Sequence, residues 1–200
     1  DAVRYYFLKT IEFGKDGDFS ETRFINTVNA DLADNLGNLL NRTLSMVRKY
    51  CAGKVPSLAE DLTTEHPLKA IAIPLGQEVQ QYYEALAFDR ACEAILDLVR
   101  ASNKFIDEQA PWSLYKQGKQ TEVERVLYAV LESVRLAAYL LSPVIPHVCT
   151  EVYKQLGFAI DFNNQAQIFI TAPFHTHSTW GILSEKQQLG DPRPVFQRIE

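Results

Sequence analysis

Long apolar runs are missing from this 200-residue sequence. Charged or polar residues interrupt every candidate before it reaches the ~20 residues a membrane span needs, so no membrane segment is expected. Cysteine is scarce: Cys51, Cys92 and Cys149 are odd in number and widely spaced, which excludes a disulfide framework and zinc-ribbon spacing. That usage fits a reducing, cytoplasmic setting. No glycine-rich phosphate loop is present, because Gly14-Lys15-Asp16-Gly17 lacks both the spacing and the Lys-Ser/Thr ending. Ser20, Ser45 and Ser142 are not set in any nucleophile-and-base motif that would activate them. His175-Thr176-His177 would share a metal from one face of a strand, but no cysteine or carboxylate follows at ligand spacing. A solvated loop is the plainer reading, and neither a metal nor a catalytic residue is expected. There is also no initiator Met and no signal peptide; the opening Asp1-Ala2-Val3-Arg4 reads as a piece of a longer polypeptide.

What is present is an ordinary globular composition, 46% hydrophobic and 22% charged. Twenty basic and 25 acidic residues give a net charge of −5, which argues mildly against a nucleic-acid partner. The distribution argues the other way. Residues 35–59 contain no Asp or Glu, yet hold Arg42, Arg48, Lys49 and Lys54; residues 110–121 are also free of acids and hold Lys116 and Lys119 beside Trp112 and Tyr115. Screening confines an exposed charge to about 8–10 Å, so local sign can outweigh the total. Each stretch is either a solvated face or a place for an anion.

The hydrophobic pattern predicts an antiparallel helical bundle, all-α. Residues 1–10 read as a short, mostly buried helix, and residues 14–18 as a turn. Ser20 is placed to cap a helix running to Tyr50, whose stripe is Ile25, Val28, Leu32, Leu36, Leu39, Thr43 and Val47. Residues 51–65 form a connector. A second helix follows Pro74-Leu75-Gly76 to about Asp107, with Val79, Tyr83, Phe88, Cys92, Ile95, Val99 and Ile106 on one face. Pro111 breaks the chain before a short turn or helix at 112–116. A third helix spans 122–141, Ser142-Pro143 and Pro146 restart a fourth, and beyond Gly157 a short strand at 167–171 precedes an irregular tail wrapped on the bundle.

Opposite the first helix's apolar stripe stand Asp31, Asp34, Asn35, Asn38, Asn41 and Arg42, and steps of four align Asp34, Asn38 and Arg42 on one ridge. Asn costs several tenths of a kcal/mol in a helix and Gly about 1 relative to Ala, so three Asn and Gly37 within seven positions carry a penalty. An exposed face with a close helix contact at Gly37 would explain it. So would a hydrogen-bonding ridge that reads exposed base edges and ends in the planar cation of Arg42. Trp112, after Pro111, is either a core anchor or a stacking platform for an unstacked base.

Asp1-Ala2-Val3-Arg4-Tyr5-Tyr6, Phe13-Gly14-Lys15-Asp16-Gly17-Asp18-Phe19-Ser20, the run from Asn29 through Asn41-Arg42, Asn103-Lys104-Phe105-Ile106-Asp107-Glu108-Gln109-Ala110-Pro111-Trp112 and the ending Pro194-Val195-Phe196-Gln197-Arg198-Ile199-Glu200 together resemble the C-terminal part of the methionyl-tRNA synthetase family, bacterial type. The resemblance implies a stem-contact linker at 1–20, an anticodon-binding helical bundle at 21–157 of the kind found in class I aminoacyl-tRNA synthetases, and a packed tail at 158–200. It implies binding of the CAU anticodon of methionine tRNA, with Trp112 and Pro111 stacking on or positioning the cytosine and Asn38 and Arg42 bonding anticodon bases. Asp34 stands where the family often has Asn; its carboxylate accepts from a base amino group but repels phosphate. Neither family catalytic signature nor the cysteine-bearing zinc insertion occurs. ATP and zinc would therefore belong to a catalytic domain elsewhere in the same chain, and neither DNA nor a membrane is expected as a partner. Two other readings stay open: the anticodon domain of a leucine, isoleucine, valine or cysteine synthetase, and a protein-interaction bundle without RNA.

Overall fold

The computed structural model describes residues 1–57, 66–159, 169 and 173–200. Its described residues form helices and irregular connections without a strand, apart from an isolated bridge between Lys54 and Gln188. The helices are α1 (Ala2–Thr10), α2 (Glu21–Val28), a π-helical segment (Asn29–Gly37), α3 (Asn38–Tyr50), α4 (Pro67–Glu84), α5 (Phe88–Gln109), α6 (Pro111–Lys116), α7 (Gln120–Leu141), α8 (Pro146–Gln155) and α9 (Phe174–His177).

Helix α7 is the axis of the bundle. From Val126 to Leu141 every side chain is buried, with α3, α4, α5, α6 and α8 packed around it. A helix enclosed on all sides should be apolar all round, and α7 departs from that rule at Glu132, Ser133 and Arg135. Glu132 and Arg135 are fully buried and paired at 2.7 Å, and the tail satisfies what the pair leaves over. Glu132 Oε1 accepts from the amides of Gly181 (2.9 Å) and Ile182 (3.1 Å), and Oε2 accepts from Leu183 (3.1 Å). Arg135 donates to the carbonyls of His177 (2.7 Å) and Thr179 (2.5 Å). Residues 173–200 are thus mostly irregular and wrapped on the bundle, held by two buried charges that the pattern of apolar residues did not expose.

The first long helix is not one α-helix. Ser20 caps α2 as predicted, its hydroxyl accepting from the Arg23 amide at 3.3 Å. At Asn29 the chain widens into the π segment, and the Asn38 amide reaches back five residues to the Ala33 carbonyl. Asp31, placed by periodicity on the polar face, is instead buried, accepting from the Tyr5 hydroxyl at 2.9 Å and paired with Lys9 at 3.0 Å. Asn29 is also buried and pairs with the Ile199 backbone in both directions, at 2.8 and 2.9 Å. These bonds lie across the bundle, where no local periodicity reports them. Gly37 is required by the segment itself, since a Cβ there would sit 2.9 Å from the Leu32 carbonyl oxygen. The close contact expected at Gly37 is therefore with its own wide turn, with Val195 of the tail 3.6 Å away.

The second expected helix is two. Helix α4 begins at Pro67, before Pro74, and α5 begins after a break at Leu86, whose φ of 57° is left-handed. Pro74 removes the donor that would bond the Ala70 carbonyl, and Ala70 is an exposed residue, so that turn of the helix faces solvent. Tyr83 and Phe88, expected on one continuous face, pack against each other across the break at 6.0 Å. Helix α1 buries only Tyr5 and Tyr6, leaving Val3 and Phe7 exposed, so it is less enclosed than expected. Cys92 and Cys149 are small buried core residues as predicted. His175 and His177 lie on α9 rather than on a strand, so alternate residues there do not share a face. The strand expected at 167–171 lies outside the described residues except for Phe169, which packs on Tyr139 and Tyr153. Residues 58–65 of the expected connector also lie outside them.

Glu132→Ala should destabilise the fold by about 3–5 kcal/mol in urea unfolding, because it leaves the Arg135 guanidinium buried without its counter-charge. A separate dependence on pH follows from two imidazoles, His66 buried and His177 partly buried. Burial pushes the pKa of His66 and of His177 below the ordinary value, helped by Arg125 and Lys69 at His66 and by Arg135 at His177. The unfolded chain takes up these protons first as pH falls through about 6.5. Stability present at neutral pH is therefore lost below that value: the urea midpoint should fall between pH 7 and pH 5, and less so in His66→Gln/His177→Gln.

Candidate functional site

Two elements meet at one end of the bundle. Helix α5 ends where Pro111 removes a backbone donor and restricts the residue before it. Ala110 makes the corner in a left-handed conformation, φ 44° and ψ 62°, a strained choice for a residue with a Cβ. Its carbonyl then caps α6, accepting from the amides of Ser113 (2.7 Å) and Leu114 (3.2 Å). Pro111 is the first residue of α6, where a missing N–H matters least, and its ring is buried. Trp112 follows and is 40% exposed, so it is not the core anchor that one reading allowed.

Helix α3 comes alongside and is tied to this corner on both sides of Trp112. Arg42 pairs with Asp107 at 2.6 Å, five residues before the Trp. Tyr50 stacks on Tyr115, three residues after it, with ring centroids 4.3 Å apart and planes tilted by 30°. Gln120, at the start of α7, donates to the Tyr50 carbonyl at 3.0 Å. The two acid-free stretches of the sequence, 35–59 and 110–121, are therefore neighbours in space. Lys49, Lys116 and Lys119 are exposed on them.

Each residue nominated on the ridge has a distinct state. Asn38 is exposed, with no side-chain hydrogen bond among the described residues. Arg42 is half-buried; one Nη is held by Asp107, while its buried Nε has no partner among the described residues. Asp34 pairs with Arg198 of the tail at 2.5 Å, which neutralises the one acid on the ridge. Exposed ion pairs contribute at most about 1 kcal/mol, so both can be exchanged for a ligand's groups. The ridge is also braced from below: Asn103 of α5 donates to the Asn35 carbonyl in the π segment at 3.2 Å.

Asp107 and the Tyr50–Tyr115 pair are the residues that sequence reasoning missed as parts of this site. Their partners are 65 residues apart in sequence, and only opposite charge in one case and aromatic type in the other offered any signal. Nucleophilic chemistry is not supported here. Burial, with Glu124 adding to it, pushes the nearby Cys51 thiol up to about 12, so it is no thiolate at neutral pH. Among the described residues no group of three His, Cys, Asp or Glu could hold a metal ion. What the corner does offer is an exposed indole, an amide, a half-buried planar cation held by an exchangeable ion pair, and lysines around them, which is chemistry suited to unstacked bases and phosphate.

Comparison with known proteins agrees with that chemistry. Residues 1–44 match the family described as tRNA synthetases class I (M), and residues 75–197 match the anticodon-binding domain of tRNA ligase. The whole chain aligns at 65% identity with a methionine--tRNA ligase of Nostoc sp. and at 57% with one of Synechocystis sp., spanning 37% and 38% of those proteins. Its fold superposes on a crystal structure of Mycobacterium tuberculosis methionyl-tRNA synthetase in its apo form with a TM-score of 0.85 and 33% identity, covering all of this chain and 39% of that one.

The strained corner gives a test of local geometry. Ala110→Gly should raise stability by about 1 kcal/mol, because glycine accepts the left-handed conformation without the Cβ penalty. Ala110→Val should lower it, and thermal unfolding of the two variants against the parent reads both signs.

Proposed function

Because the chain belongs to the methionyl-tRNA synthetase family, within the anticodon-binding domains of tRNA ligases, we propose that it reads the CAU anticodon of methionine tRNA. The observation that carries this reading is the exposed Trp112, bracketed by two contacts to the polar ridge of α3. Anticodon bases are accessible only after unstacking, and an aromatic platform recovers roughly 1–3 kcal/mol for each base captured. The cytosine stacks on Trp112, which Pro111 holds at the start of α6. Asn38 donates to and accepts from base edges. Arg42, on release from Asp107, presents its terminal guanidinium nitrogens to base acceptors or phosphate. Asp34, tied to Arg198, accepts from a base amino group without presenting a bare negative charge to the backbone.

The chain spans less than two fifths of the relatives it matches. In our reading it is the recognition arm of a methionine--tRNA ligase, which joins methionine to its tRNA using ATP. The catalytic domain of the same protein would supply the nucleotide site and any zinc, and this chain would hold no cofactor. No helix among the described residues is long and apolar enough to cross a membrane. The ligase reading itself makes the whole protein a cytoplasmic enzyme of translation.

The test is a low-salt titration of the chain with an anticodon stem-loop carrying CAU, beside one with the first base changed. CAU should bind more tightly. Trp112→Ala should weaken that binding by roughly 1–3 kcal/mol while leaving the helical circular dichroism unchanged, and affinity should fall as salt rises. Equal binding of both loops would reduce the reading to a generic RNA-contacting bundle. Absence of binding at any salt would favour a protein-interaction surface instead.

A further inference from the structure

The corner carries a second aromatic surface that single-base capture by Trp112 leaves unused. Tyr115 is 44% exposed, although Tyr50 stacks against it at 4.3 Å. The stack fixes the ring: Tyr50 closes α3, its carbonyl is held by Gln120, and the Lys49 ammonium lies 5.4 Å from its ring centroid. A rigid, half-exposed aromatic costs little entropy when it receives a partner. Trp112 and Tyr115 are three residues apart on α6, so they share a face and are separated by about 4.5 Å along the helix axis. Consecutive stacked nucleotides are separated by about 3.4 Å along a strand. Two neighbouring bases of a slightly extended single strand therefore match the two rings. The charges around them suit a phosphodiester: Lys49, Lys116 and Lys119 are exposed, while Asp107 is paired with Arg42, Glu108 with Lys104, and Glu124 accepts from Gln120 at 2.7 Å.

We infer that Tyr115, backed by Tyr50, is a second base-stacking platform, taking the loop nucleotide adjacent to the one on Trp112, with Lys49 and Lys116 on the phosphate between them. This inference rests on the anticodon-binding reading above and adds one subsite to it. Stacking tolerates any base, so the second platform contributes affinity and sets the path of the strand, whereas Asn38 and Arg42 carry base identity.

The experiment uses the chain and the CAU stem-loop at low salt, together with a set of loops in which each loop nucleotide in turn is made abasic. With the parent protein, two adjacent abasic positions should each weaken binding by roughly 5- to 150-fold. Tyr115→Ala should weaken the intact loop by a similar factor, and Tyr115→Phe, which keeps the ring, by less than twofold. The Tyr115→Ala loss should vanish on one abasic loop, and the Trp112→Ala loss on its neighbour. A single sensitive abasic position in the parent overturns the second platform whatever the variants do. So does wild-type affinity in Tyr115→Ala while Trp112→Ala still loses binding, a result that leaves the anticodon reading standing. Failure of the parent to distinguish CAU from the changed loop removes both.

Discussion

Two charges that water never reaches organise this molecule. Glu132 and Arg135 lie one turn apart in the middle of α7, fully buried. Burying such a pair is expensive unless every remaining lone pair and proton is satisfied. The five further bonds come from the backbone of residues 177–183, so the tail can take only the course that supplies them. Once held there, it continues across the bundle. Backbone bonds join Val55 to Gln187 and Lys186, and the side-chain amides of Gln155 and Asn29 each pair with tail backbone in both directions, at Arg193 and Ile199. A segment with little regular structure is thereby held as firmly as a helix.

The same tail steadies the polar ridge of α3 and the π segment. Asn29 ties its last residues to the start of the π segment, Val195 lies against Gly37, and Arg198 neutralises Asp34. The π segment brings five-residue backbone bonds and a poor composition for a helix, and it leads into the ridge that carries the exposed Asn38 amide and the half-buried Arg42. The strained Ala110 corner presents Trp112 on the neighbouring element. Departures from ideal geometry are thus concentrated around one surface, while α7 and its neighbours supply the rigid body that maintains them.

Several elements resisted reading for identifiable reasons. The break at Leu86 has no Gly, Pro or Asn to mark it, since a leucine takes the left-handed position. Helix α4 runs through Pro74, which normally ends a helix, at a turn where Ala70, the residue opposite the missing donor, is exposed. Asp31 looked solvent-facing because periodicity measures only the helix it belongs to; Tyr5 and Lys9, from another helix, made a buried place for it. Net charge was the least informative quantity. The total of −5 says nothing of two acid-free stretches that folding places side by side.

Sequence by itself determined the helical class, the Ser20 cap, the breaks at Pro111 and Pro146 and the burial of Cys92 and Cys149, because caps, prolines and apolar periodicity are local and act on a few neighbouring residues. It also carried the motifs whose order pointed to the family. Only tertiary structure decided that Trp112 faces solvent, that Arg42 is held by Asp107, that Tyr50 backs Tyr115 and that the tail follows Glu132 and Arg135. Each of those outcomes joins groups tens of residues apart in the chain or exchanges hydration for a buried bond, and neither the pairing nor the loss of water is written in local spacing.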